Sequence, residues 1–295
     1  MQIPVRIPGA PPVIFEVNEQ GRGKPVFVMG IRKCGSTMLN QICRALANLN
    51  SVNFVDVAGT FFQHNIAVGG WVRNESVRKL LRSGNVYAGF RNMPWCLQDT
   101  TPFINARKIF LVRDPRDALV SEYFSNAYSH QIPDAKDDYA GARGQLLVQR
   151  KKALESPIDA YVRERARLML RTFLEYRSIY EDPSALKLKY EDIVFDKRGM
   201  ISDIVAYLKW TCAEPAVAKI LDRFDVRPEV EDQTSFIRKV TPGDHKEKLS
   251  AETISFLNRE LAEALEIYGY ISYGICLVFG YIFLVIVFLG VRGMI

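Results

Sequence analysis

The stretch VFVMGIRKCGSTMLN, residues 26–40, decides the fold. An apolar run ends at a glycine, a short loop follows, and apolar residues then recur at helical spacing (Met38, Leu39, Ile42, Leu46, Leu49). This is a strand, a phosphate-cradling turn and a helix. Gly30 and Gly35 keep the spacing of the G-x-x-x-x-G-K-[ST] pattern of nucleoside-triphosphate loops, but Ser36 and Thr37 follow Gly35 at once. The cations, Arg32 and Lys33, sit inside the loop instead. The backbone N–H groups at the helix start, the hydroxyls of Ser36 and Thr37 and the Lys33 ammonium together suit an anion.

Strand and helix patterns alternate onward from this unit. VNFVDV, NVYAGF, RKIFLVR and ALKLKY read as strands. ESVRKLLRS reads as a short helix, and DPRDALVSEYFSNAYS as one capped by Asp114 with Pro115 in its first turn. A long helix begins at Pro157, others lie near 198–209 and 214–224, and a last one runs over about 251–267. Residues 131–156, polar and mixed in charge, read as a mobile region, and the proline-rich start shows no element. The fold class is α/β: three layers, with a mostly parallel central sheet, helices on both faces and ligands at the carboxyl ends of the strands.

Composition narrows the function. A formal charge of +6 over 295 residues favours anionic ligands but is too diffuse to point to nucleic acid. Five widely spaced cysteines with no C-x-x-C pair, and three histidines, predict a reducing compartment, no disulfide framework and no metal. No secretion signal is recognisable at the N-terminus. Residues 271–291, ISYGICLVFGYIFLVIVFLGV, carry no charge and would span about 30 Å as a helix, with Tyr268, Tyr270 and Tyr273 placed for an aromatic belt. The expected organisation is a domain over 1–268, a C-terminal transmembrane anchor over 269–291 and a tail over 292–295.

Two further basic stretches accompany the loop. KIFLVRDPRDALVSEYF ends a strand on Arg113, well placed for a bidentate phosphate contact, and carries Ser121 two helical turns on. FIRKVTPGDHKEKL clusters Arg238 and Lys239 in a Pro/Gly loop. Three separate anchors suit a ligand with phosphates at two positions.

In this order and spacing, across residues 25–250, the chain resembles the sulfotransferases that use 3′-phosphoadenosine 5′-phosphosulfate (PAPS) and release 3′-phosphoadenosine 5′-phosphate (PAP). The resemblance implies that RKCGST (Arg32, Lys33, Cys34, Gly35, Ser36, Thr37) holds the 5′-phosphosulfate, that Arg113, Ser121, Arg238 and Lys239 hold the 3′-phosphate, and that Tyr190 of LKYEDIVFD lies near adenine. Lys33 would stabilise charge growing on the bridging oxygen, without metal. The family's basic histidine is replaced by Asn92 in FRNMP, where Phe90 also takes a lysine's place and Arg91 stands between them, either orienting an anionic acceptor or lying on the surface. Met38 stands where many members stack a tryptophan on adenine, and Val240 replaces a glycine. Asp56, then His64, are the candidate general bases.

The acceptor is expected to be a small molecule, lipid or glycan, with the catalytic domain facing the cytoplasm. Two other readings remain: a kinase with Asp114 as magnesium ligand, and a membrane-tethered nucleotide-binding protein without activity.

Overall fold

The computed structural model describes residues 1–134 and 141–271. Among the described residues seven strands form two sheets: β1 (Gln2–Val5) and β2 (Val13–Glu16) make an antiparallel pair, while β3 (Val26–Gly30), β4 (Asn53–Asp56), β5 (Asn85–Phe90), β6 (Arg107–Val112) and β7 (Leu186–Lys189) form a sheet of order β4-β5-β3-β6-β7. Every pairing in the larger sheet is parallel. Every residue of β3 and β5, and all of β6 except Arg107, is buried. Strands covered on both faces read as continuous apolar runs rather than alternating ones.

The helices are α1 (Ser36–Leu49), α2 (Val57–Gln63), α3 (Val68–Trp71), α4 (Thr101–Ile104), α5 (Pro115–Phe124), α6 (Ala142–Glu155), α7 (Ile158–Glu175), α8 (Arg177–Glu181), α9 (Tyr190–Ile193), α10 (Lys197–Leu208), α11 (Glu214–Phe224), α12 (His245–Lys248), α13 (Ala251–Glu260) and α14 (Ala262–Ile267). A 3₁₀ turn spans Glu75–Leu80, and α5 runs on into a π-helical turn at Ser125–Ser129. The α1 helix buries Leu39, Ile42, Cys43, Leu46 and Ala47 against the sheet and leaves Leu49 exposed. Phe27, Tyr87, Phe90 and Phe110 are fully buried at the sheet's centre, each contributing roughly 1.5–3 kcal/mol by leaving water.

Chain order places the site. The chain leaves β3, builds β4 and β5 on one side, then crosses to β6 on the other. The carboxyl ends of β5, β3 and β6 therefore meet at a topological switch point, where open α/β sheets bind ligands.

Four expectations differ. The proline-rich start is a hairpin, because Ile3, Val5, Ile7, Val13, Phe15 and Val17 alternate inward with period two. Within 131–156, residues 142–155 are helical (α6), rich in good helix formers and packed against the π turn. The last helix is interrupted at Leu261 and becomes α13 and α14. Tyr268 is fully buried, its hydroxyl donating to the Phe173 carbonyl at 2.8 Å, and the Tyr270 hydroxyl donates to Glu191 at 2.9 Å. Both hydroxyls are thus engaged by the domain itself rather than standing free in an interfacial belt. Among the described residues no helix is long and apolar enough to cross a membrane. The predicted anchor, apart from its first residues 269–271, lies outside the described residues.

Candidate active site

The loop after β3 is built from two left-handed residues. Lys33 has φ 67° and Gly35, at the N-cap of α1, has φ 90°. A left-handed non-glycine residue is uncommon, and at Lys33 it turns the loop sharply ahead of α1. Gly35 is required on a second ground: a Cβ there would come within 2.9 Å of the Tyr190 ring. Ser36 is buried at the first turn of α1, and Cys34 packs into the core, where burial pushes its thiol far above the usual range.

The neighbouring strand on one side delivers Arg91. Gly89, at φ 88°, breaks the β3–β5 register, a bulge that re-aims the residues after it. Arg91 Nε then donates to Ser36 Oγ at 3.0 Å and Nη2 to Thr37 Oγ1 at 3.3 Å. Arg91 therefore does not lie free on the surface: it is hydrogen-bonded to the first turn of α1. Gly89, within NVYAGF, was the available signal.

On the other side, β6 delivers Arg113. Its buried guanidinium lies 4.3 Å above the Tyr190 ring, and its Nη2 is 3.5 Å from Asp117. Its Nε has no hydrogen-bond partner among the described residues, nor has Arg32 Nε. A buried charged donor left unmatched is costly unless an anion completes it. Tyr190 thus forms a floor under both Arg113 and Gly35.

Lys33 lies close to Arg32, Arg91 and Arg113. Burial lowers its pKa from 10.5 to about 8; Glu122 opposes the shift and the three arginines add to it. Sequence reading missed Glu122. This buried carboxylate, next to the half-buried Ser121 on α5, is 2.8 Å from Arg32 Nη2 and 2.7 Å from Arg165 Nε, and also accepts from Tyr161 at 3.3 Å. Burial works against its charge, but the Arg32 and Arg165 guanidinium groups outweigh that and hold it below the usual glutamate range. It is the counter-charge without which the cation cluster would repel itself.

The late basic loop folds onto α5. Arg238 lies 4.1 Å over the Phe124 ring and pairs with Glu231 and Asp244; Lys239 pairs with Glu247 at 2.6 Å and Asp244 at 3.4 Å. Its tether is Asp117, a second unforeseen group, which accepts from the Gly243 N–H at 2.6 Å and the His245 N–H at 2.9 Å, with His245 Nδ1 at 2.6 Å. Burial raises the Asp117 pKa, but the His245 hydrogen bonds and the Arg113 charge overcome it and bring it to about 2. Arg238 also lies within electrostatic reach of Tyr190, so Arg113, Tyr190 and Arg238 form one cluster.

The two candidate bases are placed differently. Asp56, at the end of β4, caps α2 by accepting from the Gly59 N–H at 2.9 Å and pairs with Arg44 at 3.0 Å, so both oxygens are engaged. His64 is exposed at the end of α2, with Nδ1 2.9 Å from the Thr60 carbonyl. Asp114, the metal ligand of the kinase reading, instead caps α5 and is gripped by Arg116 at 2.6–3.3 Å.

The chain belongs to the sulfotransferase domain family, which it matches over residues 24–269, and it is a sulfotransferase enzyme. Among solved structures it is similar to mouse sulfotransferase SULT7A1 complexed with PAP, at 14% identity over 83% of this chain and 86% of that one, with a TM-score of 0.55. It is also similar to retinol dehydratase in complex with androsterone and inactive cofactor PAP, at 16% identity over 84% and 82% of the two chains, with a TM-score of 0.47. At such identities the first likeness shows a common fold. Among curated protein sequences no match is found. The family membership sets the kinase reading aside.

Proposed function

We propose that this enzyme takes a sulfuryl group from PAPS and places it on a hydroxyl or amine of a small-molecule, lipid or glycan acceptor. The observation that carries the reading is the meeting of Lys33, Arg91 and Arg113 from the ends of three adjacent strands, around a loop with no lysine after Gly35. The unmatched Arg113 Nε and Arg32 Nε fit an anionic ligand.

PAPS supplies an activated sulfuryl group when bound. Lys33, Ser36 and Thr37 hold the 5′-phosphate end, with Arg91 aligning the two hydroxyls, and Arg113, Ser121, Arg238 and Lys239 hold the 3′-phosphate. Tyr190 supports the nucleotide from below. Lys33 and the start of α1 stabilise the negative charge that grows on the leaving oxygen, and they are preorganised to do so. Arg238 and Lys239 reach the 3′-phosphate by exchanging carboxylate partners for phosphate oxygens. The reference experiment is calorimetric titration of the full-length protein with PAP in the absence of magnesium. Binding that is lost in Arg113→Ala is expected; no binding of PAP, or binding unchanged in that variant, refutes the donor reading.

The uncharged run 271–291 supports attachment to a membrane by the C-terminus, with residues 1–268 on the cytoplasmic side where PAPS is made. Protease protection of the domain in intact right-side-out vesicles is expected; cleavage there refutes that placement.

A further inference from the structure

Asn92 leaves this enzyme without the histidine its relatives are expected to use, and Asp56 has both oxygens engaged. One other imidazole, at the end of the π turn that continues α5, lies within electrostatic reach of Lys33 and Arg91. His130 follows the π turn, its N–H donating to the Ser125 carbonyl at 2.8 Å. Its own carbonyl accepts from Arg150 Nη2 at 2.6 Å, while Arg150 Nε reaches the Asn126 carbonyl at 3.3 Å, so α6 clamps the residue in place. The ring is half-buried beside Phe62 of α2, 5.9 Å between centroids.

Its Nδ1 lies 2.8 Å from the Gln131 carbonyl. A carbonyl only accepts, so in the neutral ring Nδ1 carries the proton and Nε2 carries the lone pair. Lys33 of the phosphate loop, Arg91 after β5 and Arg150 of α6 all act on this ring.

We propose that His130 is the general base of sulfuryl transfer, receiving the acceptor's proton on Nε2. The inference rests on the donor reading above. As the bond from the acceptor oxygen or nitrogen to sulfur forms, the bond from sulfur to the bridging oxygen breaks. That electron pair stays on the departing bisphosphate beside Lys33, and the acceptor's proton goes to Nε2 and afterwards to solvent. Burial, opposed by the hydrogen bond to the Gln131 carbonyl and aided by the charges of Lys33, Arg91 and Arg150, holds the ring below its ordinary 6.5, which favours the unprotonated form a base needs.

The test is a ¹⁵N-histidine NMR titration of the full-length protein, free and with PAP. The chain has only three histidines, and a His130→Gln variant identifies the signal. The expected result is an Nδ1–H tautomer titrating below 6.5, moved to higher pH by PAP because its phosphate offsets Lys33 and Arg91. Calorimetry on the same samples separates the two claims. Failure of PAP to bind sinks the donor reading; PAP binding with no change at His130, or an Nε2–H tautomer, overturns the base. In parallel, His130→Gln should keep PAP affinity within about threefold while PAPS consumption, with 4-nitrophenol or water as acceptor, falls at least about 100-fold. Unchanged consumption with intact PAP binding also overturns the proposal. The NMR result decides alone if the wild type turns over neither acceptor.

Discussion

Replacing Asp117 by asparagine isolates the tether between α5 and the late basic loop. The carboxylate accepts from Gly243 and His245 and lies against Arg113, and its pKa falls from 3.8 to about 2 on folding. At about 1.4 kcal/mol per pKa unit, the charge contributes about 2 kcal/mol of stability at neutral pH. The amide of asparagine adds a loss of its own. Oδ1 faces the two His245 donors and Oδ2 faces Gly243 and Arg113, so either orientation points an NH₂ group at another donor. One buried donor left unsatisfied costs about 1–3 kcal/mol, which brings the expected loss to about 3–5 kcal/mol. Because the folded pKa is depressed, the carboxylate's contribution is complete above its unfolded value and fades as pH falls towards about 2. Urea unfolding of the wild-type and Asp117→Asn proteins at pH 7 and pH 3 measures both effects. The gap should be largest at pH 7 and about 1 kcal/mol narrower at pH 3. A gap under about 1 kcal/mol at pH 7, or one equally wide at pH 3, would refute the assignment of Asp117 as an ionised tether.

Gly35→Ala should cost at least about 1–2 kcal/mol from the left-handed backbone alone, and more from its collision with Tyr190; a melting temperature equal to wild type contradicts this. Glu122→Gln removes a carboxylate that raises the Lys33 pKa and leaves Arg32 and Arg165 without their carboxylate. The lysine should then titrate lower, read by ¹³C NMR of its ε-carbon, with a stability loss of about 3–5 kcal/mol. Lys33 is charged below about pH 8 and neutral above it, so PAP affinity in calorimetry should weaken as pH rises through that value, and Lys33→Met should abolish the dependence. Arg91→Met should weaken PAP binding by about 1.5–3 kcal/mol without unfolding the domain, whereas wild-type affinity would place Arg91 outside the site.

What the sequence reveals and what it hides divides along physical lines. Strands buried on both faces announce themselves as apolar runs, so β3, β5 and β6 were legible, as was Arg113, the first polar residue after such a run. Lys33 was legible from its place between Gly30 and Gly35. Arg91 was not assignable, because its direction depends on a bulge at Gly89 that exists only once β3 and β5 pair. Glu122 and Asp117 look like ordinary carboxylates of α5, and only tertiary packing surrounds them with Arg32, Arg165, Gly243 and His245. The hairpin at the start was hidden by prolines, although its period-two alternation was present in the sequence. Tyr268 and Tyr270 sit beside a long apolar run, and the sequence does not reveal that the fold draws them inward.

The parallel sheet has a consequence for folding as well as for binding. The three adjacent strands whose ends converge on the candidate site come from separate parts of the chain: β3 must accept β5 on one edge and β6 on the other before Arg91 and Arg113 flank the loop. Such pairings between distant segments form slowly, because loop-closure entropy is lost before the contacts that reward it. The cluster of Lys33, Arg91 and Arg113 is complete only once β5 and β6 have both paired with β3. A bisphosphate ligand should therefore leave the early steps of refolding untouched and slow the unfolding of the finished protein, making it a reporter of the moment at which β6 docks.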